Sequence, residues 1–230
     1  MKLYCFAGPN GSGKSTLFSK IVSDNTINVP FINADDISRR EEFSKISNPD
    51  ERNLLAAQYA EKLRHDMINN GKDFAFETVL STPRNLELLK LAKSKGYEIV
   101  LFYVSTKDPN INVERVAKRV SQGGHDVPKD KIISRYYRAM NLFKDVLDVA
   151  DKAYVYDNSN KYELSLTKLN GEIYLPMKSL DKNGNFIIPY LKKNENYKFI
   201  PYSIVKDFAD LTNVKSIDKK IIAAPIITKK

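Results

Sequence analysis

The stretch Gly8-Pro9-Asn10-Gly11-Ser12-Gly13-Lys14-Ser15-Thr16 constrains the fold more than any other part of the chain. Before it, Lys2-Leu3-Tyr4-Cys5-Phe6-Ala7 reads as a short buried strand; after it, residues 14–22 read as a helix with Leu17, Phe18 and Ile21 on one face. In that order, glycines let the backbone curl so that successive N–H groups point inward, and the helix N-terminus adds its positive dipole end. The residues fit G-x-x-x-x-G-K-S/T at every fixed position, a pattern that cradles the phosphates of a nucleoside triphosphate. Lys14 is expected on the β- and γ-phosphates and the Ser15 hydroxyl on Mg²⁺, so ATP and Mg²⁺ are the expected ligands.

Strand and helix signals alternate downstream. Residues 29–34 read as a strand ending in Asp35-Asp36, and 74–78, 97–104 and 153–157 as further strands. Helical periodicity covers 50–70, with Leu54, Leu55, Tyr59, Leu63 and Met67 on one side, and then 83–94. It resumes over 110–122, with Val113, Val116, Ala117 and Val120 inward, and over 128–150. The pattern predicts an α/β fold of the P-loop NTPase type, a doubly wound parallel sheet of about five strands. Ligands in such sheets bind beyond the carboxyl ends of the strands, where residues 8–16, Asp35, Glu77 and Asp157 all fall.

Beyond Asn158 the pattern changes. Asn170-Gly171 and Asn183-Gly184 sit between β-rich runs such as Glu172-Ile173-Tyr174-Leu175 and Phe186-Ile187-Ile188, a hairpin signature. A weakly structured end with the apolar run Ile221-Ile222-Ala223-Ala224-Pro225-Ile226-Ile227 is expected to follow. The chain is thus read as a P-loop domain over 1–159 and a lysine-rich, β-rich extension over 160–230. Every candidate catalytic residue precedes the extension, which is therefore expected to be dispensable for chemistry.

Residues 161–230 hold thirteen lysines, no arginine and seven acids, so most of the net charge of +9 lies there. That tail could attract nucleic acid, but a tail without arginine forks reads more simply as a solvated surface. No apolar run approaches the roughly eighteen residues of a membrane span, and no basic-then-apolar signal segment opens the chain. A lone cysteine, Cys5, excludes an internal disulfide, and a cytoplasmic location is expected.

A P-loop alone does not choose a reaction. Guanine-recognition tetrads and the signature loop of transporter ATPases are absent from the sequence, and the short domain suits a small-molecule kinase. Such an enzyme needs an acid for the acceptor hydroxyl, a second acid near the metal, and cations for the transferring phosphoryl. Asp35 suits the first role, although Asp35 or Asp36 could instead cap the helix beginning near Ile37. Glu77, next to Thr78 at a strand end, suits the second, or is a hydrogen-bonded structural acid. Arg115 and Arg119 stand opposite the valine face of their helix, and Arg135 and Arg138 opposite Ile133, Tyr136, Tyr137 and Met140. These pairs flank Gly123-Gly124, as in a lid closing on phosphates, or as on two solvated helix faces. His125 beside the hinge could contact substrate or only its own loop.

Five blocks in order carry a family resemblance. They are residues 7–16, Phe31-Ile32-Asn33-Ala34-Asp35, residues 74–81, residues 119–128 and Tyr154-Val155-Tyr156-Asp157-Asn158-Ser159. Together, over roughly residues 1–160, they resemble the zeta-toxin family of P-loop kinases. With the loop starting at Gly8, the resemblance is to the shorter, stand-alone branch. It implies ATP-dependent phosphorylation of a nucleotide sugar such as UDP-N-acetylglucosamine, and restraint by an antitoxin. It also implies Lys14 on phosphates, Ser15 on Mg²⁺, Asp35 as base for the sugar hydroxyl and Glu77 in substrate binding. An arginine between 115 and 138, best Arg119 or Arg135, would meet the transferring phosphoryl, and Thr78, His125 and Arg138 complete the expected substrate contacts. A nucleotide or nucleic-acid kinase, or a nucleotide-switched binding module, are the alternatives.

Overall fold

The computed structural model describes residues 1–23, 27–176, 197–201 and 214–226. Strand β1 (Lys2–Ala7) lies between β3 (Phe74–Thr78) and β4 (Glu98–Ser105), parallel to both. With β2 (Phe31–Ile32) outside β3 and β5 (Lys152–Asp157) outside β4, five parallel strands form as the pattern predicts. These strands are buried on both faces, which is why they read as unbroken apolar runs rather than alternating ones. The second strand is shorter than expected because Asn33 turns out of it to cap the next helix.

The sheet does not stop at β5. Strands β6 (Glu163–Leu169) and β7 (Glu172–Pro176) continue it in antiparallel sense, and β8 (Tyr197–Ile200) pairs parallel to β7. The order is β2-β3-β1-β4-β5-β6-β7-β8. Asn170 and Gly171 make the β6–β7 turn with φ of 51° and 78°, the paired positive angles that the Asn-Gly signature requires. Asn183-Gly184 and Phe186-Ile187-Ile188 lie outside the described residues.

Helices cover both faces. Against one lie α4 (Pro49–Asn69), α5 (Pro83–Ser94) and α7 (Lys129–Val149), closing on Phe74, Phe76, Leu101, Tyr103 and Phe143. On the other, α1 (Lys14–Ser23) sets Leu17 and Ile21 against Phe6 and Phe102. Helix α8 (Val214–Ile222), on the same face, takes in Ile221 and Ile222 of the apolar run where a weakly structured end was expected; residues 223–226 follow it without helix, and Ile227 lies outside the described residues. The helix buries Ile217 and Ile221, and its Asp218 accepts hydrogen bonds from Tyr154 Oη (2.5 Å) and Lys152 Nζ (3.3 Å). Two short helices, α2 (Ala34–Ser38) and α3 (Glu41–Ser44), follow β2, and α6 (Pro109–Ser121) precedes α7.

Two expected helix faces are corrected in part: Leu63 and Met67 of α4 and Val113, Val116 and Val120 of α6 pack inward as expected, and the rest do not. Helix α4 buries Ala56, Ala60, Arg64 and Ile68, whereas Leu54 is 58% exposed and Leu55 and Tyr59 are exposed as well. Alanines let α4 approach closely, so that Arg64 lies over the Phe76 ring at 5.3 Å. On α6, Ala117 faces solvent, while Asn112 is fully buried with Val116. Cys5 packs in the core, where burial pushes its thiol well above the ordinary range. No helix among the described residues is long and apolar enough to cross a membrane.

Candidate active site

The phosphate-type loop runs from the end of β1 into α1, held between β3 and β4. The Gly8 amide donates to the Thr78 carbonyl (3.2 Å), and at φ +140° a Cβ here would stand 1.9 Å from the Val104 carbonyl oxygen. Only glycine fits so close to a neighbouring strand. Pro9 and the fully buried Ser12 form the outer side of the loop. The inner side, with Asn10, Gly11, Gly13, Lys14, Ser15 and Thr16, lines a cavity of about 580 Å³.

Lys14 is 5% exposed, and its ammonium donates to the Pro9 carbonyl (2.9 Å) and lies 3.8 Å from Glu77 Oε1. Burial lowers its pKa, Glu77 and Asp35 work against that shift, and Arg119 adds to it. The Ser15 hydroxyl donates to Glu77 Oε2 (2.8 Å). A lysine, a hydroxyl and a carboxylate therefore meet at the mouth of the loop. Among the described residues, no group of three or more His, Cys, Asp or Glu could hold a metal ion by itself. The Ser15 and Glu77 oxygens are hard donors that fit Mg²⁺, which binds through one or two protein oxygens plus substrate phosphates.

Asp35 reaches the same cavity from the first turn of α2. Helix capping falls to Asn33, whose side-chain oxygen accepts the Asp35 amide (2.8 Å), so neither aspartate is the cap. The Asp35 carboxylate has no hydrogen-bond partner among the described residues, whereas Asp36 faces Arg39 at 3.4 Å.

Arg115 and Arg119 from α6, His125 from the connecting loop and Arg135 from α7 complete the cavity wall. Arg119 Nη2 donates to the His125 carbonyl (2.8 Å), tying the guanidinium to the loop it was expected to close, and Arg115 Nη2 donates to the Ser159 carbonyl (3.1 Å). Three expected residues stand off the wall. Thr78 is buried with its hydroxyl accepting the Leu80 amide (2.9 Å) and Asn85 Nδ2 (2.8 Å), which supports a turn where Leu80 has φ +56°. Arg138 is exposed on α7 away from the cavity, and Asp157 accepts the amide and hydroxyl of Ser159.

Sequence reasoning missed Asn112, Asn158 and Tyr162, which all touch the loop. Asn112 carried a signal, a polar residue one turn before Val116 on the inward side of an amphipathic helix. Tyr162 carried none, and its place on the cavity wall departs from the expectation that the extension stays clear of the site. A second cavity of about 360 Å³ shares Asp35 and His125 with the first and is lined also by Ser38, Arg39, Ser44, Arg52, Asn53, Gly123 and Gly124.

Residues 2–169 match the family model for zeta toxin. An uncharacterized protein of Haemophilus influenzae is 31% identical over 135 residues, which cover 59% of this chain and 92% of that protein. Among solved structures, one from the PezAT chromosomal toxin-antitoxin system of Streptococcus pneumoniae superposes with a TM-score of 0.53 and 20% identity, covering 70% of this chain and 69% of that one. The AvrRxo1-ORF1:-ORF2 structure with ATP gives a TM-score of 0.61 at 15% identity, covering 95% of this chain and 76% of that one. At such identities the two superpositions establish the shared fold.

Proposed function

The chain belongs to the zeta toxin family, and from that premise we propose that it is an ATP-dependent kinase acting on a hydroxyl of a nucleotide sugar such as UDP-N-acetylglucosamine. One observation carries the reading: a single cavity collects the phosphate loop, Lys14, the Ser15–Glu77 pair, the unpartnered Asp35 and three arginines.

In this reading the loop amides and Lys14 bind the triphosphate, with Ser15 and Glu77 holding Mg²⁺ beside it. The metal, when bound, neutralises charge on the β- and γ-phosphates. Asp35 accepts the proton of the acceptor hydroxyl as its oxygen bonds to the γ-phosphorus and the bond to the departing ADP breaks. Arg119 and Arg135 face the transferring phosphoryl group, where fixed positive charge stabilises the transition state. The second cavity suits the acceptor because it shares Asp35 and His125 with the first, and Arg39 and Arg52 give it the charge to meet a diphosphate. Thr78 enters as a support for the turn after Glu77, and Arg138 has no assigned contact. We assign the chemistry to residues 1–159, with the extension supplying Tyr162. An antitoxin protein is the proposed partner, supported by the family and by the toxin-antitoxin system that shares the fold.

The test is ATP turnover by the purified protein against a panel of nucleotide sugars, mononucleotides, oligonucleotides and other hydroxyl metabolites, read as a phosphate mass increment on the acceptor. A phosphorylated nucleotide sugar, lost in Lys14→Ala, is the expected result. Phosphorylation confined to nucleotides or nucleic acid would replace the acceptor class, and ATP binding without any acceptor would make the protein a switched binding module.

A further inference from the structure

Three side chains from outside the phosphate loop each donate to one of its carbonyls. Asn112 Nδ2 on α6 donates to the Asn10 carbonyl (2.6 Å), Asn158 Nδ2 after β5 to the Ser12 carbonyl (2.8 Å), and Tyr162 Oη before β6 to the Gly13 carbonyl (2.6 Å). Asn112 is fully buried and itself held, since its Oδ1 accepts the Thr106 hydroxyl. The Lys20 ammonium lies 5.2 Å over the Tyr162 ring.

A trans peptide is planar, so its C=O and the following N–H point in opposite directions. Holding the carbonyls of Asn10, Ser12 and Gly13 on these side chains, with the Leu17 amide of α1 also donating to the Gly13 carbonyl (3.1 Å), therefore turns the amides of Gly11, Gly13 and Lys14 away from the three tethers. None of those three amides has an acceptor among the described residues. We propose that Asn112, Asn158 and Tyr162 are positioning residues that hold the phosphate loop in its anion-binding form by clasping its carbonyls. This inference rests on the nucleotide-binding reading above. The clasp also explains why the extension belongs to the site: Tyr162 contributes a tether, and at Gly13 a Cβ would stand 2.4 Å from its hydroxyl.

The full chain and its Tyr162→Phe and Asn112→Ala variants are titrated by calorimetry with ATP and with inorganic tripolyphosphate, which has no base to bind. Tyr162→Phe removes one oxygen and keeps the ring, so folding is little disturbed. The variant loses the bond to the Gly13 carbonyl and the one with the Thr16 side chain, and the lost tether is expected to weaken both probes by a similar factor, about 2- to 10-fold. The loss should appear in KM for ATP more than in kcat, and hydrogen exchange at residues 11–14 should accelerate. A drop in melting temperature with unchanged affinities overturns the proposal, leaving a structural role. Weaker ATP with unchanged tripolyphosphate also overturns it, since Tyr162 would then act on the base. Variants that match a wild type binding both probes reject the clasp alone, whereas a wild type binding neither rejects the nucleotide reading and the clasp with it.

Discussion

Replacing Gly8 by alanine tests whether the loop is locked to the sheet as described, and Gly123→Ala is its internal control. Both glycines have positive φ, +140° at Gly8 and +84° at Gly123, so both substitutions place an L-residue in a disfavoured backbone conformation costing about 1–2 kcal/mol. The entropy that alanine removes from the unfolded chain is the same in both and cancels in the comparison. Space separates them. At Gly123 nothing lies within 4 Å of the added carbon, whereas at Gly8 it would sit 1.9 Å from the Val104 carbonyl oxygen, against 3.4 Å or more for ordinary contact. Neither side yields easily: Val104 is in β4 between β1 and β5, and Gly8 is bound to Thr78. Overpacking of this kind adds about 1–3 kcal/mol or more, for a total of about 2–5 kcal/mol. In a domain of this size each kcal/mol moves Tm by about 2–4 °C. Thermal unfolding followed by circular dichroism should therefore show a loss of about 2–8 °C for Gly123→Ala and a further loss of about 2–12 °C beyond the control's for Gly8→Ala. Equal shifts would refute the reasoning, because they would mean that the loop can lift away from β4 at no cost.

Other expectations concern chemistry and charge. Lys14→Ala should abolish phosphoryl transfer, since it removes the ammonium at the loop mouth; a variant with full turnover would reject the site. Asp35→Asn should lower kcat by about a hundred- to ten-thousand-fold at unchanged ATP affinity, and near-normal turnover would move the base role to Glu77. Arg52→Ala should raise KM for a diphosphate-bearing acceptor by about tenfold or more while leaving KM for ATP alone, which steady-state kinetics with each substrate varied will show. Asp151 is pushed up by burial but held net below its ordinary 3.8 by the Lys93 ammonium and the Ile99 amide. A carboxylate depressed by folding adds stability above its unfolded value and loses it as pH falls through the folded one. Urea unfolding of Asp151→Asn should thus show a stability deficit at pH 7 that closes below about pH 4; a constant deficit would reject the assignment.

Legibility in the sequence followed the range of the forces involved. The loop, Lys14, Ser15 and the five parallel strands were readable because local geometry and strong apolar runs fix them. Asp35 was ambiguous, since a carboxylate just past a strand looks alike as base or cap. Only the placement of Asn33, which takes the cap, separates the two. Leu54, Leu55 and Tyr59 misled because hydrophobicity marks the buried face only when helix and sheet stay far enough apart for large side chains. Here Ala56 and Ala60 bring them close. Tyr162 was invisible because its partner, Gly13, is 149 residues away and no periodicity links them.

That separation has a consequence for how the protein is made. Strand β1 ends at Ala7, yet its neighbours β3 and β4 begin at Phe74 and Glu98, and the side chains that donate to the loop wait for residues 112, 158 and 162. At ordinary synthesis rates the loop precedes its last tether by on the order of ten seconds. During that interval the nascent chain carries the phosphate-binding sequence without the contacts that shape it. If the proposed clasp is needed, competence to bind a triphosphate arrives only when Tyr162 has emerged from the ribosome and β6 can join the sheet.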